Sequence, residues 1–235
     1  MTTNIDSQLQ EIAQLRETKS KEIETLAKIT ELESAVSADF TVLAKLNWEK
    51  AFVYQHLVMS QIDIDQNLKL MAESALKAHG IVEQNNLTEL QGDDFRFLGR
   101  VYDYKKDYSQ AEKYYQQALG YFQNQNDPRV LEIKGFMSAN LINQGKIEPG
   151  LTLAKKTYSE FDQTPLKQSD FYTWAVWKTG IFPRVVKALI VQKVDFNKPE
   201  MKQFLETDQK LLLESDKNFQ YRLDEIAETL KQLFI

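Results

Sequence analysis

Cysteine is absent from the 235-residue sequence. Its absence excludes disulfides, thiolate nucleophiles and cysteine-ligated zinc, and it favours an intracellular, cytoplasmic protein. Glycine and proline are also scarce, with eight and five residues, and this scarcity favours helices over turn-rich β architecture. The sequence therefore predicts a helical chain without covalent cross-links.

Long apolar runs and clusters of basic residues are missing as well. No segment approaches the roughly 18 consecutive apolar residues that cross a bilayer, and residues 1–10 are polar, unlike a secretory signal. The net charge is -5, whereas binding to nucleic-acid phosphates needs clustered Lys and Arg. These features predict neither a membrane segment nor a nucleic-acid partner. With 43% hydrophobic and 27% charged residues, the composition is typical of a soluble globular protein.

The chain does contain an apolar period close to 3.6 residues over nearly its whole length, which is the spacing of one helix face. Proline and glycine mark the breaks, because proline suits the first turn of a helix and a left-handed glycine often closes the last. Gly80 and Gly145 are predicted to close helices in this way. The predicted helices cover residues 5–34 with an interruption at 16–21, then 38–60, 66–80, 88–105, 108–125, 128–144, 147–162, 168–180, 183–193, 198–214 and 217–233.

Residues 92–125 carry the most specific pattern in the sequence. Small residues fall where two helices must approach each other, and large ones fall where the gap between the helices must be filled. The members of the pattern are Phe95, Leu98, Gly99, Tyr102, Ala111, Tyr115 and Ala118. In residue types and spacing the segment resembles a tetratricopeptide repeat (TPR), a pair of antiparallel helices of about 34 residues.

The neighbouring segments resemble the repeat less closely. Residues 131–164 fit the same frame, but Lys134 stands where the family has an aromatic residue. Residues 38–84 and 168–233 are predicted to be degenerate copies. Because such repeats need several stacked copies to bury a core, the resemblance implies one all-α domain over residues 1–235. Its fold would be a right-handed α–α superhelix, a TPR-like solenoid of about ten or eleven antiparallel helices.

Residues 1–37 precede the predicted repeats and carry a thin apolar stripe among many charges. A helix of this kind can cap the stack, or it can pair with a copy of itself and form a homodimer. The stripe drifts away from strict heptads, and this favours the capping role.

The resemblance also implies where a partner would bind, because the first helix of each TPR lines the concave face. On that helix Arg96 and Arg100 are four positions apart and share one face, with Tyr104 beside them. Two guanidinium groups in such a groove could hold a peptide carboxylate by bidentate hydrogen bonds. Asn140 and Asn143 on the next first helix could bracket a peptide backbone. The alternative is that these side chains are solvated surface residues.

Residues 171–177 form the most aromatic stretch of the chain. Apolar residues fall on nearly every side of the predicted helix, which favours burial on more than one face. If Trp174 or Trp177 is exposed, it becomes a candidate hot spot for a partner, since aromatic side chains dominate many interfaces. Core packing and partner contact are the two interpretations of this stretch.

Motifs for catalysis, metal binding or cofactor binding are missing from the sequence. The only two histidines, His56 and His79, are too far apart for a helical metal pair, and His79 is predicted at a helix end beside Gly80. No glycine-rich phosphate loop or nucleophile elbow is present. The sequence therefore predicts a non-enzymatic protein that needs neither cofactor nor metal.

Three functions stay open, because a fold alone does not decide function. The first is a cytoplasmic scaffold that binds a protein or a peptide in the TPR groove. The second is a peptide-sensing regulatory protein that resembles bacterial TPR quorum-sensing receptors but lacks a DNA-binding domain, since residues 1–37 are too short for one. The third is an enzyme whose site no motif announces, for example a pocket where His56 meets several carboxylates.

Overall fold

A computed structural model describes residues 2–234, and the side chains are described from residue 5 on. Helices make up 80% of the structure, and the described residues form no strand. The predicted all-α class is therefore confirmed. Over the same residues, no helix combines the length and the apolar character needed to cross a membrane.

The chain divides into two compact units, one up to Lys105 and one from Lys106 on, where the sequence predicts a single domain. The boundary falls inside residues 92–125, between the two helices of the TPR-like pattern. The first unit contains α1 (Thr2–Arg16), α2 (Glu22–Ala35), α3 (Phe40–Met59), α4 (Ile64–Gln84), a 3₁₀ turn (Thr88–Leu90) and α5 (Gln91–Tyr104).

The second unit contains eight described helices. They are α6 (Tyr108–Gln123), α7 (Arg129–Asn143), α8 (Ile147–Phe161), α9 (Leu166–Ser169), α10 (Phe171–Thr179), α11 (Ile181–Gln192), α12 (Lys198–Leu213) and α13 (Gln220–Gln232).

Two hydrophobic clusters form the core of the first unit. One joins α1, α2 and α3 through buried aliphatic side chains that include Ile12, Ile29 and Leu46. Residues 1–37 thus contribute two helices to this core, separated by a turn where the sequence predicts the interruption. The other cluster joins α3, α4 and α5 around Trp48 and Phe97, whose rings stack at 5.5 Å.

One large cluster forms the core of the second unit, with side chains from α7, α8 and α10 to α13. Aromatic side chains fill much of it, and the rings of Phe182 and Phe204 stack at 3.8 Å. Helices α7 and α8 approach closely at Gly150, where a Cβ atom would lie 2.6 Å from the Ser138 carbonyl oxygen. A residue without a side chain is therefore required at this crossing.

Local signals in the sequence explain several helix ends. Asp107 caps α6 by accepting a hydrogen bond from the Gln110 backbone N–H at 3.1 Å, and Gly145 follows α7 with a φ of +80°. Gly80 does not close a helix, because α4 continues to Gln84. The predicted helix 168–180 is broken at Asp170, which caps α10 through the Thr173 N–H at 3.0 Å.

Candidate functional site

Arg96 and Arg100 lie on α5 but are buried, with 9% and 3% of their surface exposed. The structure therefore does not place them on the open wall that the sequence predicts. The Arg100 guanidinium lies 5.0 Å from the Phe52 ring centroid and 5.5 Å from that of Phe97. Arg96 lies 5.3 Å from the Phe97 ring and pairs with Asp93 at 2.9 Å. Stacking on desolvated rings stabilises buried guanidinium groups, so Arg100 holds α5 against Phe52 of α3.

A third arginine, Arg16 at the end of α1, lies over the same Phe52 ring at 4.2 Å. Its Nη1 donates to Glu49 Oε2 at 2.7 Å, and its Nη2 lies 2.8 Å from Glu17 Oε1. Burial raises the pKa of the Glu49 carboxyl, and the positive charge of Arg16 opposes that rise. The arginine–aromatic cluster thus connects α1, α3 and α5. No sequence pattern announces it, because its members come from three separate helices.

The histidines also have structural partners. His56 is buried beside this cluster, with Nδ1 3.1 Å from the Arg16 carbonyl oxygen and Nε2 3.9 Å from Glu17 Oε2. His79 lies inside α4, and its Nδ1 is 2.6 Å from Oδ2 of Asp94, a fully buried residue on α5. Burial raises the pKa of Asp94, and the hydrogen bond with His79 opposes the rise. In the part of the chain that the structure describes, no three His, Asp or Glu side chains are arranged to hold a metal ion.

The remaining predicted groove residues are divided between the two units. Tyr104 packs, half-buried, against the α3–α5 core. Asn140 is 1% exposed, and its amide donates to the Tyr108 carbonyl at 3.0 Å and accepts from Gln144 at 2.7 Å. Asn143 is half-buried, and its backbone carbonyl accepts from Gln192 at 2.8 Å. The Asn140 amide is therefore already used to join α7 to the start of α6.

The two tryptophans of the aromatic stretch lie in or against the core of the second unit. Trp174 is 1% exposed, and its indole N–H donates to the Phe161 carbonyl at 2.9 Å. Trp177 is half-buried and packs against the same cluster. Core packing thus accounts for Trp174, which a partner could reach only by opening the unit.

An open cleft lies in the second unit, where the corner between α6 and α7 faces the corner between α8 and α9. We call it the corner cleft, and its volume is about 520 Å³. Its apolar lining comes from both corners and consists of Pro128, Val130, Leu131, Pro165 and Leu166. Leu131 is buried, whereas Pro128 and Pro165 are exposed at the edges. An apolar surface is therefore left accessible at this place.

Amide and hydroxyl groups also line the corner cleft. They belong to Gln123, Asn126, Gln163, Thr164 and Ser169. The three amide side chains are exposed, so the corner cleft is open to solvent along its rim. Each amide offers both a donor and an acceptor, which is the hydrogen-bonding pattern of a peptide group.

Ion pairs stand at both sides of the corner cleft. Arg129 neutralises Asp127, with Nε 2.9 Å from Oδ1 and Nη2 2.6 Å from Oδ2. Lys134 on α7 pairs with Glu160 on α8 at 2.9 Å. Lys156, one turn before Glu160, lies 3.9 Å from the other oxygen of that carboxylate. Glu160 is therefore shared by two lysines.

Comparison of the sequence with protein-family models finds no match, and comparison with curated proteins finds no significant match.

Proposed function

We propose that the chain is a non-enzymatic binding module that takes up a short extended segment of a partner protein in the corner cleft. The observation that carries the proposal is the accessible apolar surface of Val130 and Leu166, beside the buried Leu131 and next to exposed amide groups. Its volume of about 520 Å³ is in the range of ligand sites in proteins. Nothing in the proposal requires a cofactor.

The chemistry of the corner cleft suits a peptide. Burying one leucine side chain of a ligand against the apolar floor contributes roughly 1.5–3 kcal/mol. The rim amides of Asn126 and Gln163 can exchange water for hydrogen bonds to the ligand's backbone. This combination of an apolar anchor and backbone contacts is what extended peptides use when they bind folded domains.

The TPR-like pattern supports the same assignment. The segments that resemble repeats, 92–125 and 131–164, supply part of the corner cleft, and the rest comes from the turns that follow them. In this proposal the helices belong to a degenerate TPR-like superhelix that acts as a cytoplasmic scaffold. The partner site lies at the helix corners, because the arginines of α5 are buried.

A random-peptide display library panned against the full chain tests the proposal. Peptides that bind the parent protein should be lost when Val130→Arg fills the corner cleft with a charged side chain. Leu213→Arg is the matched control, since Leu213 is 66% exposed on α12 and does not line the cleft. Circular dichroism on both variants verifies that they fold. Recovery of the same peptides with Val130→Arg would show that the site is elsewhere.

A further inference from the structure

We propose that the bound segment carries an acidic side chain two positions from an apolar one, and that Lys134 binds that carboxylate. This inference rests on the proposed function and adds the chemical class of the occupant. It comes from the charges of the corner cleft and from the spacing of the residues on α7.

The two sides of the corner cleft differ in how their charged side chains are paired. Both oxygens of Asp127 are engaged by Arg129, so that side has no carboxylate to offer a cationic ligand. On the other side, Lys134 and Lys156 share the single carboxylate of Glu160. Two lysines on the α7–α8 side thus share one carboxylate, an arrangement that complements a further negatively charged group.

Lys134 can leave Glu160 and pair with a ligand carboxylate instead, and no charge is then left unpaired. The side chains of Lys134 and Glu160 are 23% and 27% exposed, so a ligand can reach the pair. When a ligand carboxylate takes the Lys134 ammonium, Glu160 stays next to Lys156. Each charge keeps an opposite neighbour, which avoids the large cost of an uncompensated charge.

The positions of Leu131 and Lys134 set the spacing in the ligand. They are three residues apart on α7 and so lie about 5–6 Å from each other on one face of that helix. In an extended peptide, side chains two residues apart point the same way and are about 7 Å apart. An apolar side chain over Leu131 thus places the side chain two positions away beside Lys134.

Titration of the isotope-labelled protein with three peptides tests the inference. Binding is monitored by the NMR shifts of the backbone amides of residues 123–134 and 160–169. The peptides are acetyl-Ser-Leu-Ser-Leu-Ser-X-Ser-amide, where X is aspartate, asparagine or lysine. We expect the aspartate peptide to bind about fivefold tighter than the asparagine peptide, as for a partly exposed ion pair. The lysine peptide should bind more weakly than both.

Two variants give opposite, charge-specific effects. Lys134→Met should reduce binding of the aspartate peptide to the level of the asparagine peptide, and Glu160→Gln should tighten it about threefold, because the competing carboxylate is gone. Neither should change the asparagine peptide. Lys210→Met is the control, since Lys210 is an exposed lysine of α12 that pairs with Glu214 outside the cleft.

Several outcomes would overturn the inference and leave the proposed function intact. One is equal binding of the aspartate and asparagine peptides at the corner cleft. Another is tight binding of an asparagine peptide with a free C-terminal carboxylate, which would show that a chain end is recognised. Display peptides that need the corner cleft but lack the apolar–x–acidic pattern would do the same. The proposed function itself has a separate test. It is wrong if every peptide that binds the parent protein also binds the Val130→Arg variant.

Discussion

At the residue scale, a single buried carboxyl group in the second unit shows how burial changes the ionisation of a side chain. Asp208 on α12 is fully buried, and its Oδ1 accepts a hydrogen bond from the Tyr158 hydroxyl at 2.6 Å. Within the described residues its Oδ2 has no hydrogen-bond partner. Burial raises the pKa of Asp208 to about 7, although the Tyr158 hydrogen bond and the charge of Lys178 oppose the rise. The group is therefore half-protonated near neutral pH.

The raised pKa makes stability depend on pH. The ordinary value is 3.8, so the folded state holds a proton that the unfolded chain releases between these two values. The contribution of this proton is full below pH 3.8 and is lost as the pH rises through about 7. We expect Asp208→Asn to remove that dependence, which is on the order of 4 kcal/mol at most. Denaturant unfolding of both proteins at pH 5 and pH 8 measures it. Parallel pH profiles would contradict the prediction.

Replacing glycine by alanine should have opposite effects on stability at two positions, Gly150 and Gly120. Gly150→Ala places a Cβ 2.6 Å from the Ser138 carbonyl oxygen, which belongs to a rigid helix, so α7 and α8 must separate. We expect a loss of about 1–3 kcal/mol in the free energy of unfolding. Gly120 is exposed on α6, and an added Cβ meets no described atom within 4 Å. Gly120→Ala should therefore stabilise the protein by about 1 kcal/mol. Thermal unfolding followed by circular dichroism compares the two variants.

At the scale of helices, one ionic network attaches α13 to α11. Glu225 of α13 accepts a hydrogen bond from Lys187 of α11 at 2.8 Å and pairs with Arg222. Burial alone would raise the pKa of Glu225, but the charges of Lys187, Arg222 and Arg184 outweigh burial and hold it at about 2. The carboxylate therefore stabilises the folded state above its ordinary pKa of 4.5, and this contribution is lost as the pH falls through about 2.

Removing the Glu225 carboxylate should weaken the attachment of α13 and destabilise the folded protein. Glu225→Gln leaves two or more cations without their shared partner, and we expect a cost on the order of 3 kcal/mol at pH 7. Glu228→Gln is the control, because Glu228 and Lys231 form an exposed pair at 3.8 Å worth less than about 0.5 kcal/mol. Urea unfolding at pH 7 measures both. Equal midpoints for the two variants would show that the network contributes nothing.

The helices themselves could be predicted, because their signals are local. Asp107 marks the start of α6, and the glycine after α7 marks the end of that helix. Within each helix, the apolar period of 3.6 residues indicates how far it extends. The prediction was wrong where a local signal misled or was too weak to notice. Gly80 resembles a helix end but continues α4, since its flexibility costs less than the packing of the following turn provides. The break at Asp170 leaves α9 with four residues, too few to show a period.

The predicted site was harder to place than the helices, because burial and clefts depend on residues distant in sequence. From the sequence alone, Arg96 and Arg100 are predicted to lie at the surface. Only the folded structure shows that the rings of Phe52 and Phe97 lie beside them. The corner cleft is built from two turns, around Pro128 and Pro165, that no short motif connects. The sequence therefore predicts which helices exist, whereas tertiary packing decides which side chains a partner can reach.

At the scale of the whole molecule, each unit has a hydrophobic core of its own. The division at Lys105–Lys106 passes through exposed residues, as expected of a boundary between folding units. We expect the separate fragments 1–105 and 106–235 each to be helical and to unfold cooperatively. A cut at 62/63, which separates α3 from α4, should leave residues 1–62 without a cooperative transition. Circular dichroism and heat unfolding of the four fragments test this, and a non-cooperative fragment 106–235 would contradict it.

The distribution of tryptophan gives the two units separate optical signals. The sequence has three tryptophans: Trp48 is buried in the first unit, and Trp174 and Trp177 belong to the second. After Trp48→Phe, indole emission reports only on the second unit. After replacement of the other two, it reports only on the first. Fluorescence of these two proteins during chemical denaturation therefore shows directly whether the halves of the chain unfold in one transition or in two.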